Sequence, residues 1–281
     1  MFALLRKFAN KKRYSLNTEE CKNIIDQLDN LGGYFVYFCS GEFLLRDDAL
    51  ELISYCHNKK ILVSLTTNGL LLDEKKIDEL KKAGLNILIV SLDSANAEEH
   101  DKLRGVPGCF QKAIDGLKIA KEKGLTTWIW TYMTKSHKDQ LDVIAELGRQ
   151  LQVESVYVFF TLLSGNLFNK FEENFTAEER NEIRKKYLFK KPIVFEFPSE
   201  SMSSYCNGGG REHINIMPSG DVTFCPPVPF SYGNIKQAEL KDILIKVKKD
   251  YSRLKHCTRR QCPVNYVEYR EKCQAKFIYD V

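Results

Sequence analysis

Apolar positions along this chain alternate between two rhythms. Behind Asn17, Cys21, Ile24, Ile25, Leu28 and Leu31 fall on one face at helical spacing, Glu20 completes a capping box, and Gly32-Gly33 ends the run. Tyr34 to Cys39 is then continuously β-prone, as in a strand buried on both faces. It breaks at Ser40-Gly41-Glu42, and a helical pattern beginning at Arg46 turns Ala49, Leu52, Ile53 and Cys56 inward. The unit recurs. Ile61 to Thr66 predicts a strand ending in Thr67-Asn68-Gly69, with a helix over Asp73 to Ala83. Asn86 to Leu92 predicts a strand ending in Asp93-Ser94, with a helix over Phe110 to Lys123. Thr126 to Thr134 and Ser155 to Thr161 predict two more strands around a helix near Leu141 to Leu151.

Five strands alternating with helices imply a parallel sheet with right-handed crossovers, either an open doubly wound sheet or a full or partial barrel. Polar strand ends favour the barrel, because Ser40, Thr67, Ser91, Asp93, Thr134 and Ser164 would gather at the rim where barrels hold ligands. In the first loop Gly41 lets a ligand approach the backbone and Glu42 carries the charge, although a tight turn with a solvated Glu fits the same residues. Trp128, Trp130 and Tyr132 alternate along one strand, and core or helix-facing packing explains them at least as well as stacking on a substrate. Cys21 and Cys56 read as small core residues. After Asn166 the pattern changes. Phe175 to Glu179 starts another helix, and from Ile193 the chain becomes β-rich, turn-rich and cysteine-rich, so a domain boundary is expected near Lys190, between residues 1–190 and 191–281.

Composition narrows the classes. A chain of 281 residues with 43% apolar and 28% charged residues can bury a sizeable core. No apolar run approaches a membrane span, and Met1 to Arg13 is too short and too basic for a signal peptide, so a cytoplasmic protein is expected. The net charge of +5 is mild, and its late excess in Lys241 to Arg260 reads as a solvated helix face, so neither nucleic acid nor membrane is expected as a partner. Nine cysteines without a secretion signal indicate metal, cluster or redox use.

Five of them, Cys206, Cys225, Cys257, Cys262 and Cys273, crowd the end of the chain. Cys206 leads through three glycines into His213 to Met217, and Pro218-Ser219-Gly220-Asp221 predicts a hairpin turn whose second arm carries Cys225. Four thiolates from two separated segments suit a [4Fe-4S] cluster or a tetrahedral zinc, and unrelated free cysteines are the third possibility.

The run Phe38-Cys-Ser-Gly-Glu-Phe-Leu-Leu-Arg46 resembles the Gly-Gly-Glu-Pro motif after the second strand of radical S-adenosylmethionine (radical SAM) enzymes. Thr66-Thr-Asn-Gly69, Ser91-Leu-Asp-Ser94 with His100 to Gly108, and Leu162-Leu-Ser-Gly165 fall where that family has its next strand ends. The spacing from Cys206 through Gly220 to Cys225 is similar to the opening of the SPASM or twitch extension, which carries auxiliary [4Fe-4S] clusters. The resemblance runs from about Leu16 to Cys273. It implies an α/β fold, a partial (β/α) TIM-type barrel lacking its first strand, with a small cysteine-rich α+β domain. By analogy Ser40, Gly41 and Glu42 would hold the methionyl amino group of S-adenosylmethionine. Ser91 and Arg104 would meet its ribose or carboxylate, with Thr67, Asn68 and Asp93 beside them.

Two departures stand out. Phe43 replaces the motif's proline, and the chain has no Cys-x3-Cys-x2-Cys, the triad that binds the reductive cluster. The resemblance therefore implies one auxiliary cluster, S-adenosylmethionine binding that is weak or lost, and no radical formation by the chain as given. A truncated gene product is the first explanation. Its complete form would be an oxidoreductase or maturase of a peptide, before a tetrapyrrole or other large substrate, served by an electron donor. A degenerate, non-catalytic binding module and an unrelated barrel enzyme with a zinc-binding tail are the alternatives. Oligomeric state is not legible.

Overall fold

A computed structural model describes residues 15–39, 41–160, 171–195, 214–223 and 231–251. Among these, six strands form one parallel sheet in chain order: β1 (Phe35–Phe38), β2 (Leu62–Thr67), β3 (Ile87–Ser91), β4 (Thr126–Met133), β5 (Ser155–Phe160) and β6 (Ile193–Phe195). The helices are α1 (Thr18–Asn30), α2 (Ala49–Asn58), α3 (Glu74–Lys82), α4 (Ala97–Arg104), α5 (Cys109–Glu122), α6 (Leu141–Gln150) and α7 (Ala177–Tyr187). The result is the α/β partial barrel expected from the sequence, with one strand more than the five read there. β6 pairs with β5 from Val156–Ile193 to Val158–Phe195, so the parallel sheet extends one strand beyond the boundary drawn near Lys190.

The two faces of the sheet differ in chemistry. On β4, Thr127, Ile129, Thr131 and Met133 are buried, while Trp128, Trp130 and Tyr132 on the other face are only half-buried. The buried face meets the helices, since a Cβ added to Gly148 of α6 would lie 2.5 Å from Val156 Cγ2. Residues such as Leu65, Leu88 and Ile129 are sealed there, each contributing about 1.5–3 kcal/mol by burial. On the opposite face Trp130 packs on Phe159 and Tyr37, with ring centroids 4.5 and 5.1 Å apart, and Tyr132 stacks on Phe159 at 5.2 Å. The aromatic residues of β4 thus face away from the helices, because strand alternation gives the small and aliphatic residues the helix side.

Packing divides the chain into two compact units. One comprises residues 33–161 and 182–196; the other gathers the residues up to 32, 162–181 and from 197 onward. In the second unit, strands β7 (Asn215–Ile216), β8 (Asp221–Thr223) and β9 (Ser231–Asn234) form an antiparallel sheet with helix α8 (Leu240–Tyr251). Helix α1 belongs here. Asn17 and Glu20 form its capping box, and Leu16, Cys21 and Ile24 join Val222, Ile235, Leu240, Ile243 and Val247 in one apolar cluster. The Leu16 amide donates to the Pro218 carbonyl at 2.8 Å, and buried Gln27 accepts from the Leu240 amide at 2.6 Å through Oε1. A first-turn amide that helix α8 cannot satisfy itself thereby finds its partner 213 residues away.

Candidate cofactor site

The carboxyl ends of β2 to β4 carry Thr67, Ser91, Asp93 and Thr134 of the polar residues predicted to gather at a rim, while Ser164 and the rest of Leu162 to Gly165 lie outside the described residues. After β1, Gly41 takes φ +64° and a Cβ added there would meet no heavy atom of the described residues within 4 Å, so among them the backbone lies open. Glu42 caps the short 3-10 turn Phe43–Leu45 and accepts from the Leu44 amide at 3.4 Å. Its other oxygen accepts from the Asn68 amide at 2.8 Å, joining the loop after β1 to the end of β2. Burial pushes the Glu42 carboxyl up, while bonds from Asn68, Thr67 and Leu44 and the nearby Arg104 charge oppose that shift. Thr67 and Asn68 shape their own turn, accepting from the Gly69 amide at 3.1 Å and the Leu70 amide at 2.8 Å. The Asn68 carbonyl also accepts from the buried Cys109 thiol at 3.7 Å. Phe43 stacks on Phe38 at 4.2 Å, so the residue in the proline position is held by ring packing.

Helix α4 organises the next two loops. Arg104 Nη2 pairs with Asp93 Oδ2 at 2.7 Å, and both side chains are largely buried. The Asp93 amide donates to His100 Nδ1 at 3.2 Å; burial first, and the Arg104 charge second, push the His100 pKa down and keep the ring neutral. Glu99 accepts from Ser94 Oγ at 2.5 Å and meets His137 Nε2 at 3.0 Å, while His137 Nδ1 bonds Thr134 Oγ1 at 2.8 Å. The loops after β3 and β4 are therefore tied through one carboxylate. Asp101, at the solvent face, accepts from the Gly108 and Phe110 amides, which hold its carboxyl below the usual carboxylate range and cap α5.

Of the residues singled out in the sequence, the structure brings Glu42, Thr67 and Asn68 into one hydrogen-bonded group, with Arg104 near enough to act on Glu42. Asp93 and Arg104, read as separate contacts, instead form a pair. Ser91 ends β3 opposite Trp130 in register. Ser40 and the five cysteines Cys206, Cys225, Cys257, Cys262 and Cys273 lie outside the described residues. Cys56 is fully buried, and burial pushes its thiol up to about 12; Cys21 is half-buried against the apolar cluster of the second unit. Glu99, His100 and His137 were not identified from the sequence. The spacing of His100 and Arg104, one helical turn apart behind an Asn96 cap, was the available signal for His100.

Two features of the rim suit an amino-acid-bearing nucleoside. Among the described residues Gly41 has open space beside its backbone, and Asp93 Oδ1 is buried with no partner, an acceptor for a hydroxyl or amine. Among the described residues no three His, Cys, Asp or Glu side chains converge as a metal site.

The family model for the radical SAM superfamily matches residues 6–148, and that for the SPASM iron-sulfur cluster-binding domain matches residues 206–274. An AdoMet-dependent heme synthase of Methanosarcina barkeri is 33% identical over 150 residues, covering 53% of this chain and 43% of that protein. A PqqA peptide cyclase of Granulibacter bethesdensis is 25% identical over 221 residues, covering 75% of this chain and 59% of that protein. The chain thus spans about half the length of these curated relatives. Among solved structures, Streptococcus suis SuiB bound to precursor peptide SuiA shares the fold with a TM-score of 0.68 at 19% identity, covering 83% of this chain and 58% of that one.

Proposed function

The chain belongs to the radical SAM superfamily, and from that membership we propose that it is an iron-sulfur protein of the radical SAM and SPASM kind. Its complete form would be an oxidoreductase or maturase acting on a peptide or other large substrate. The observation that carries this reading is the pairing of the two family models in order along one chain; an open Gly41 and, among the described residues, an unpartnered Asp93 carboxylate oxygen at the barrel rim support it. A peptide is favoured as substrate because a relative that aligns with three quarters of the chain is a peptide cyclase.

S-adenosylmethionine bound at a reduced cluster would supply a 5′-deoxyadenosyl radical. This chain's own residues would do the holding. The Gly41 backbone would lie beside the methionyl group, and Glu42, fixed by Asn68 and Leu44, would offer its remaining lone pairs to the ammonium. Ser91 and the Asp93–Arg104 pair would meet the ribose and carboxylate, with Asp93 Oδ1 as acceptor. In the tail we assign one auxiliary [4Fe-4S] cluster to Cys206 and Cys225 together with two of Cys257, Cys262 and Cys273.

No Cys-x3-Cys-x2-Cys occurs in the chain, so the radical step belongs to a form that includes that triad. The same absence supports a second reading, a degenerate paralogue that binds a ligand or partner without radical chemistry. Two measurements test the proposal. Translation of the DNA 5′ of the Met1 codon separates the readings: an in-frame triad supports the enzyme, and an in-frame stop supports the module. Equilibrium binding of S-adenosylmethionine to the iron-free chain should be weak, because no iron chelates its amino and carboxylate groups; tight binding contradicts the account.

A further inference from the structure

The turn between α7 and β6 has no place in this chemistry. It lies at the amino ends of the strands, opposite the rim, and reads Lys185-Lys-Tyr-Leu-Phe-Lys-Lys191. Phe189 is 94% exposed and Leu188 55% exposed. Phe189 also takes φ +63°, a region that ordinarily selects glycine or asparagine. The turn is also well held. The Lys190 amide donates to the Tyr187 carbonyl at 3.0 Å and the Ile193 amide to the Lys190 carbonyl at 3.0 Å. Arg149 Nη1 donates to the Lys191 carbonyl at 3.1 Å. Tyr187 points inward, buried beside Phe195, with the Lys186 and Lys190 ammoniums over its ring.

Around the protruding Phe189 and Leu188, the side chains of Lys185, Lys186, Lys190 and Lys191 are exposed, and residues 183–195 contain no acid. Asp142 pairs with Lys186 at 3.0 Å; Lys185, Lys190 and Lys191 make no ion pair among the described residues. We infer that this turn is a peripheral docking tip for an anionic lipid surface, with Phe189 and Leu188 entering the headgroup region and the lysines meeting the headgroups.

Charge and shape select this occupant. A second copy meeting through the same patch would oppose like charges. Single-stranded nucleic acid calls for several stacking platforms, whereas this turn exposes one ring, that of Phe189, and buries Tyr187. Lysines, as flexible point charges, suit a diffuse anionic field better than a fixed carboxylate partner, and aliphatic stems beside an aromatic tip match an interfacial anchor. The expectation against a membrane partner rests on the late basic run from Lys241 to Arg260 and on the lack of a spanning apolar run, and neither bears on this turn, since such contact needs only a tip.

The test is co-sedimentation of the full chain with vesicles of phosphatidylcholine alone or mixed with about one-third phosphatidylglycerol, at low salt and at about 0.5 M salt. Binding is expected only to the anionic vesicles at low salt. Phe189→Ser should lower the partition coefficient roughly fivefold, and Lys190→Glu with Lys191→Glu by roughly tenfold or more. Circular dichroism and melting checks that each variant folds. Reversing Lys241 and Lys248, exposed on α8, should leave binding unchanged. No binding to anionic vesicles, binding that survives both turn variants, or binding that depends on Lys241 and Lys248 instead overturns the inference. Tighter binding to DNA or to an acidic protein through the same turn also overturns it.

Discussion

The two units reach stability by different routes. The parallel-sheet unit seals a continuous apolar layer between strands and helices, so its rim can hold buried charges such as Glu42, Asp93 and Arg104. The described part of the second unit has six buried apolar residues in its cluster, one of them Leu16, which precedes helix α1. It leans on polar ties that span the sequence: Gln27 to Leu240, Leu16 to Pro218, and Glu20 to Lys236 at 3.2 Å. A large core leaves polar groups available for a site, whereas a small one uses them as fastenings, and a metal cluster would be one more.

The comparison is tested most severely by Gly69→Val. At φ +87° a Cβ would lie 2.8 Å from the Ala113 backbone, so helix α5 must shift, and a loss of about 3 kcal/mol is expected in chemical denaturation. A loss below about 1 kcal/mol would show a looser sheet-helix layer than described. Next is Gln27→Leu, which strands the Leu240 amide. It should cost about 1–3 kcal/mol, with hydrogen exchange accelerated in β7 to β9 and α8 but not in β2 to β5. Equal acceleration in both units would erase the distinction between them.

Gly41→Val should separate site from scaffold. The positive φ makes a side chain cost about 1 kcal/mol, but with no atom near its Cβ the layer is undisturbed, and the main loss should be in ligand binding by calorimetry. A large fall in melting temperature would make Gly41 structural. The smallest effect belongs to Glu42→Gln. Burial raises the folded carboxyl above its unfolded value, so the folded state holds the proton more tightly, and the cost of ionising it grows as pH rises from the unfolded to the folded pKa. Stability of the Gln variant relative to the native chain should therefore improve across that window and level off above it. A constant difference from acid to neutral pH would mean that the hydrogen bonds from Asn68, Thr67 and Leu44 cancel the burial.

Much of the first unit was legible because parallel strands buried on both faces have an unmistakable apolar run, and the capping box at Asn17 and the glycine stops mark helix ends. β6 was missed because three residues after Lys-Lys-Pro are too few to show a period. The direction of Trp128, Trp130 and Tyr132 was left open because alternation tells which residues share a face but not which face meets the helices. Which unit α1 joins was hidden for another reason: its apolar stripe fits any apolar partner, and the decisive bond comes from Gln27, a residue that looks solvated in sequence. At the rim, residue types were readable but pairings were not. Asp93 and Arg104 lie eleven positions apart, and only the return of α4 brings them together.

The most direct test of the central claim is anaerobic reconstitution of the chain followed by iron and acid-labile sulfide analysis. The account predicts about four of each per chain, falling sharply with Cys206→Ala and with Cys225→Ala. Stoichiometric zinc without sulfide, or no metal at all, would contradict it.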